Sequence, residues 1–274
     1  MELYGYRRSD GRFGFRNHVL VVPLSGCQME VARRIAARVQ GATCFAHPHG
    51  CDFQGPDFEL FQAILEHVTT HPNVGGVLFL AMGCAATLSM NLPATVRRSG
   101  RLMETLNTQA AGTTRSVETG VEAARAMAGA LAAAKREPVP ASALIVGTKC
   151  GASDESSFKY CHPVVGHACD ILVEQGATVV LSEDCELVPA AHLLAERASG
   201  PEVAARLRAL SNEVNRGWKA RFGYTLEDVV LKTVSREASV QRSLEHAAKA
   251  GSGPIRGFFD VSETIKGPGL VILN

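Results

Sequence analysis

Short apolar runs along the chain alternate with longer stretches in which apolar residues recur every three or four positions. A short continuous run fits a strand buried on both faces, and the three-to-four repeat fits a helix lying against it. Runs at 19–24, 43–46, 77–81, 143–146 and 178–181 precede helical stretches at 30–39, 58–71, a less regular segment to 100, 164–175 and 190–198. Residues 102–108 form a weaker strand ahead of an alanine-rich helix at 117–135, for which Ser116 is the expected cap. The alternation predicts an α/β fold with a doubly wound, mostly parallel, Rossmann-like sheet of five or six strands. Residues 138–142 read as a link between two halves, about 1–137 and 142–200, of one α/β domain spanning 1–200. Residues 201–274 read as a solvated helical arm and an extension that packs on that domain or on a partner. The final apolar run, 270–273, reads as an unfinished edge completed by a partner or a second copy.

Composition narrows the function classes. With 274 residues, 46% of them hydrophobic, the chain buries a substantial core. A formal charge of +1 provides no field to hold a polyanion, so nucleic acid is not an expected partner. The first 17 residues are rich in Arg and Gly, unlike a secretory signal, which predicts a cytoplasmic location and reduced thiols. The longest apolar stretch, 74–86, contains Gly75, Gly76, Gly83 and Cys84 and is shorter than the roughly 18 residues of a membrane span. Neither Gly-x-Gly-x-x-Gly nor a phosphate loop ending in Gly-Lys-Ser/Thr occurs, which disfavours a nucleotide cofactor.

Eight cysteines are the unusual feature. Cys27, Cys51, Cys84, Cys150 and Cys185 each fall just after an expected strand, and the carboxyl ends of parallel strands share one edge, where ligands bind. No Cys-x-x-Cys is present, so a zinc ribbon and a thioredoxin-type pair lack their spacing. Two readings remain: small hydrophobes at tight turns, or a site assembled from separate loops for a catalytic metal or an iron–sulfur cluster. Cys44, Cys161 and Cys169, inside runs or helices, read as core. Polar companions accompany the edge cysteines: His47 and His49, Ser153 and Asp154, Glu183 and Glu186. Mixed sulfur, imidazole and carboxylate ligation suits iron, manganese or zinc better than magnesium. The loop from Lys149 to Asp154 could cradle a carboxylate on its backbone amides. Arg7, Arg8, Arg12 and Arg16 either fork onto a planar carboxylate or form a solvated basic arm.

Gly5-Tyr6-x-Arg8-x-Asp10-Gly11-Arg12-x-Gly14-x-Arg16-Asn17, His49-Gly50-Cys51, Gly83-Cys84, Cys150-Gly151-x-Ser153-Asp154 and Ser182-Glu183-x-x-Glu186 resemble, in order, the altronate and galactarate dehydratase family. That family also contains the large subunit of sulfolactate sulfo-lyase. The resemblance implies an iron-activated lyase, with Fe2+ or an iron–sulfur cluster, or alternatively Mn2+ or Zn2+, that removes water from a sugar acid to leave a 2-keto-3-deoxy acid. It implies Arg12, Arg16, Asn17, Gly151 and Ser153 as substrate-binding residues and Cys51, Cys84 and Cys150 as metal ligands. Asp154, Glu183, Glu186 and His49 are its candidates for acid, base or support. Alternative expectations are a lyase for another small hydroxy acid of the sulfolactate type, or a non-catalytic metal- or acid-binding subunit of a split dehydratase. Two departures stand out: Ala152 and Ser157-Phe158 replace glycine and Ser-Gly, and Cys161-His162-Pro163 stands where Ala-Asn-Pro is expected. Family members have further regions, so the resemblance also implies a partner subunit supplying them, or a homo-oligomer.

Overall fold

A computed structural model describes residues 2–50, 53–83, 91–261 and 263–274. The chain divides between Val139 and Pro140 into two units, each with a four-stranded parallel sheet. This corrects the expected single sheet of five or six strands. Local periodicity detects strands but does not say which of them share hydrogen bonds.

In the N-terminal unit the strands β1 (Leu3–Arg7), β2 (Phe13–Gly14), β3 (His18–Pro23), β4 (Ala42–Cys44), β5 (Val74–Ala81), β6 (Leu102–Asn107) and β7 (Glu137–Val139) are joined by α1 (Met29–Ala36), α2 (Pro56–Thr69), α3 (Leu92–Arg98) and α4 (Gly112–Ala132). The parallel sheet has the order β4-β3-β5-β6. Side chains alternate across its central strands. Val19, Val21, Leu78 and Leu80 pack with Val31 and Ile35 of α1 and Val117 and Val121 of α4 on one face. Leu20, Val22, Val77 and Phe79 pack with Phe61 and Leu65 of α2 and Val96 of α3 on the other. The sheet is thus doubly wound. Ser116 does not cap α4: it lies inside the helix, donating its hydroxyl hydrogen bond to the Thr108 carbonyl at 3.2 Å.

The arginine-rich segment is ordered by β1, which pairs antiparallel with β2 and β7. Arg8 donates to the Pro72 and Arg16 carbonyls and to Asn17 Oδ1, and Arg12 donates to Asp10 and to the Thr70 carbonyl. Asn17 in turn donates to the Leu131 carbonyl at 3.0 Å. Thr70–Asn73 lead into β5, so this network lies at the amino-terminal edge of the sheet, opposite the edge that carries Cys27. Gly14 is part of the fit: a Cβ there would stand 2.0 Å from the Pro72 carbonyl oxygen. Gly14→Ala is therefore expected to lower stability by about 1–3 kcal/mol, measured as a shifted denaturant midpoint.

The C-terminal unit contains β8 (Ile145–Thr148), α5 (His162–Glu174), β9 (Thr178–Leu181), α6 (Asp184–Leu187), α7 (Ala191–Leu194), α8 (Pro201–Phe222), α9 (Leu226–Val230), α10 (Arg236–Ala247), β10 (Ile255–Phe259) and β11 (Gly269–Leu273). Its sheet order is β10-β11-β9-β8, with every pairing parallel. Two expectations are corrected. The final run is not an open edge: β11 is an interior strand, paired with β9 and with β10, and β10 takes the edge position. Nor is 201–274 a solvated arm. Leu207 and Leu210 of α8 are fully buried with Val179, Leu181, Leu187 and Ile272, so these helices and strands complete the unit's core. Among the described residues, no helix is long and apolar enough to cross a membrane.

Candidate active site

Two strand ends begin the site. Lys149 and Cys150 follow β8, and Glu183 and Glu186 follow β9, which pairs with β8 in parallel so that both exits lie on the same edge. Asp154 accepts hydrogen bonds from Ser156 Oγ at 2.6 Å and from the Ser157 N–H at 2.9 Å, turning the chain toward α5. The first residue of α5 is His162. Cys169 of the same helix donates to the Lys249 carbonyl at 3.4 Å. Asp170 accepts from the Ser252 N–H and hydroxyl, and Arg197 donates to the Gly251 and Gly253 carbonyls, both at 2.8 Å. These bonds hold the turn after α10 against α5. His246, on the last turn of α10, and Lys249, just beyond it, thereby face Cys150.

The cluster is tight. Cys150 Sγ lies 3.3 Å from His162 Nε2, 3.1 Å from His246 Nδ1 and 3.3 Å from Lys249 Nζ. His162 Nδ1 is 2.9 Å from the Glu245 carbonyl, to which it must donate because a carbonyl only accepts. In the neutral ring this leaves the Nε2 lone pair directed at the sulfur. Glu183 forms ion pairs with Lys249 and Lys149 and accepts from the Cys150 N–H at 3.3 Å. The Lys249 and Glu183 side chains are 2% and 4% exposed, whereas Lys149 is 75% exposed at the mouth. Glu186 Oε2 is buried and has no hydrogen-bond partner, with His246 Nδ1 at 3.5 Å and Lys249 Nζ at 4.0 Å.

The two carboxylates are pushed in opposite directions. Burial raises Glu183, but the two ammonium groups and the Cys150 N–H outweigh it and hold the group at about 2. Burial and the neighbouring Glu183 charge raise Glu186 above its ordinary value. Burial, Lys249 and His162 lower His246, favouring the neutral imidazole. Burial also raises the Cys150 thiol, against the Lys249 hydrogen bond. Two neighbouring carboxyl groups displaced in opposite directions are an arrangement common to acid–base sites. A cavity of about 270 Å3, lined in part by Cys185, Arg242, Ser243 and His246, opens onto Glu186.

Of the residues expected from the sequence, Cys150, Glu183 and Glu186 come together here. Asp154, Ser153 and Gly151 lie on the exposed loop after Cys150, and Asp154 is engaged in the turn just described. Arg12, Arg16, Asn17 and His49 belong to the N-terminal unit, where Arg12 and Asn17 hold backbone carbonyls. His49 there stacks on Phe53, with ring centroids 4.0 Å apart. Cys51 and Cys84 lie outside the described residues. Cys27 belongs to the N-terminal unit and Cys185 to the C-terminal one, so the five cysteines do not share a single sheet. Sequence reasoning missed His246, Lys249 and Arg242, and treated His162 only as a departure. A signal was present: Ser239, Ser243, His246 and Ala247 share one helical face, and a face made mostly of small residues marks close packing.

The C-terminal unit is thus a parallel α/β scaffold with a Cys/His/Glu/Lys cluster at its strand ends. Two family models cover nearly the whole chain: "D-galactarate dehydratase/Altronate hydrolase, second domain" over residues 5–132 and "D-galactarate/Altronate dehydratase, C-terminal" over residues 141–274. The chain belongs to the altronate and galactarate dehydratase family. It is 30% identical to altronate dehydratase of Bacillus subtilis, over 98% of this chain and 56% of that protein. It is 29% identical to (2R)-sulfolactate sulfo-lyase subunit beta of Chromohalobacter salexigens, over 98% of this chain and 70% of that protein. With altronate dehydratase of Escherichia coli the identity is 28%, over 100% of this chain and 57% of the relative. The chain thus spans little more than half the length of either altronate dehydratase.

Proposed function

We propose that the chain is a subunit or portion of a hydro-lyase that eliminates water from a sugar acid such as altronate or galactarate, leaving a 2-keto-3-deoxy acid. The observation that carries this reading is the opposed pair of carboxylates beside Cys150. Elimination removes the proton on C2 and protonates the departing C3 hydroxyl, so it needs a group that holds a proton near neutrality. Glu186, raised above its ordinary value by burial and by Glu183, is the candidate for the acid, and His246 adjoins it. Glu183 is occupied by Lys149, Lys249 and the Cys150 N–H, so it sets the field and does not exchange protons. Arg242, exposed at the cavity, is placed to pair with the substrate carboxylate through a two-pronged contact.

Iron, which the family resemblance implies, would be held by donors around Cys150, among them His162 and His246. Bound there, such an ion supplies positive charge beside the substrate carboxylate as C2 loses its proton. A sulfolactate-type substrate is the second reading. It is favoured by one observation, that a relative spanned over 70% of its length is itself a subunit of a sulfo-lyase.

The test is keto-acid release from altronate, galactarate and sulfolactate, with the chain alone and with a partner chain carrying the remaining family regions. Glu186→Gln is expected to lower kcat by about 10²–10⁴-fold with little change in KM. Product from none of the three acids, or an unchanged kcat in Glu186→Gln, would overturn the reading.

A further inference from the structure

Two donor sets share Cys150. One is Cys150, His162 and His246; the other is Cys150, Glu183 and Glu186; in each the ligand atoms lie within 4.8 Å of one another. We infer that the ion of this protein is held by the first set, as a sulfur–nitrogen tripod of Cys150 Sγ, His162 Nε2 and His246 Nδ1 that selects a zinc- or iron-type divalent cation over magnesium or manganese. The inference deepens the lyase reading by naming the ligands, but its test does not depend on turnover.

Lys249 decides between the sets. Its ammonium ion-pairs with Glu183, donates to Cys150 Sγ at 3.3 Å and stands 4.0 Å from Glu186 Oε2. A cation therefore already occupies the carboxylate side. A divalent ion placed among Cys150, Glu183 and Glu186 would displace a buried ammonium from its ion pair with Glu183, leaving that charge uncompensated. Glu183 is further committed to Lys149 and to the Cys150 N–H.

The imidazole side has the opposite character. The Glu245 carbonyl takes the His162 Nδ1 proton, and this second bond fixes both the tautomer and the ring orientation with Nε2 as the free donor, the arrangement common to metal-binding histidines. That lone pair and His246 Nδ1 converge on the thiol from 3.3 and 3.1 Å. Because a metal ligand must be a thiolate, binding would release the Cys150 thiol proton. The unpartnered Glu186 Oε2, 3.5 Å from His246 Nδ1, leaves an oxygen beside the remaining position. One thiolate and two imidazoles make a borderline-soft set, preferred by zinc and ferrous iron and poor for magnesium.

X-ray absorption at the zinc edge on the wild-type chain, stripped and reloaded with one equivalent of Zn2+, reads the ligands without any substitution. One sulfur near about 2.3 Å and imidazole nitrogens near about 2.0–2.1 Å are expected. Cys150→Ser should remove the sulfur shell, which separates Cys150 from every other thiol in the chain. His162→Asn should weaken Zn2+ affinity by at least about tenfold, with circular dichroism confirming that the variant is folded. A purely oxygen shell, a sulfur shell that survives Cys150→Ser, or an affinity unchanged in folded His162→Asn would each overturn the inference. Zinc bound as described by a chain that forms no keto acid would sink the lyase reading and leave the tripod standing. Keto-acid formation by a chain whose zinc sulfur shell survives Cys150→Ser would do the reverse.

Discussion

Lys249→Met is expected to destabilise the C-terminal unit by about 3–5 kcal/mol, because it leaves the buried Glu183 carboxylate without its buried partner. Lys149 remains bound to Glu183 but is mostly exposed, and a solvated ion pair offsets little of that loss. A double-mutant cycle with Glu183→Gln isolates the pair. The double variant should be less destabilised than the sum of the single ones, since neither then buries an unmatched charge. Chemical denaturation of the four proteins at neutral pH measures the coupling, and strict additivity would mean that the pair contributes nothing.

The same pair has a pH signature. Glu183 in the folded chain sits at about 2, below its ordinary 4.5. A carboxylate depressed on folding stabilises the native state fully above its unfolded value, and the contribution drains away as pH falls through the folded one. Wild-type stability should therefore decline as pH drops from about 4.5 toward about 2, and the gap between wild type and Lys249→Met should narrow over that interval.

Gly166→Ala is expected to have the second large effect. A Cβ at this position in α5 would lie 2.0 Å from the Ala248 carbonyl oxygen, a backbone atom that cannot move without taking its turn along. That turn carries Lys249, and α5 begins with His162, so the helix can relieve the clash only by separating the two sides of the cluster. Overpacking of this kind costs about 1–3 kcal/mol, and here the displacement also spreads the donors around Cys150. Thermal unfolding should report the first effect, and Zn2+ affinity together with keto-acid formation the second. Gly129→Ala, at a position of α4 where a Cβ would meet nothing within 4 Å, serves as the control and should be neutral or slightly stabilising.

The candidate site was half legible from sequence. Cys150, Glu183 and Glu186 could be placed together because residues after parallel strands emerge on one edge whatever lies between them. His246 and Lys249 could not, because they reach the cluster through α10, which no strand-end rule locates. Their segment is rich in charge, and average polarity hides a helix whose buried face is made of Ser239, Ser243 and Ala247. The N-terminal motif is ambiguous for a related reason. Arginines suit a carboxylate ligand, but Arg8 and Arg12 equally suit backbone carbonyls, and side-chain chemistry alone does not distinguish the two.

The sequence by itself determined the α/β class, most of the strands and the family, since these follow from local periodicity and from short ordered motifs. Tertiary structure decided how the strands divide into two sheets, that β11 is interior, and which edge each motif occupies. It also decided that the partners of Cys150 are His162, His246 and Lys249. Each of those outcomes depends on contacts between residues far apart in the chain, such as Cys150 and Lys249, ninety-nine positions apart, and pairing over such distances is set by the whole core rather than by any local pattern.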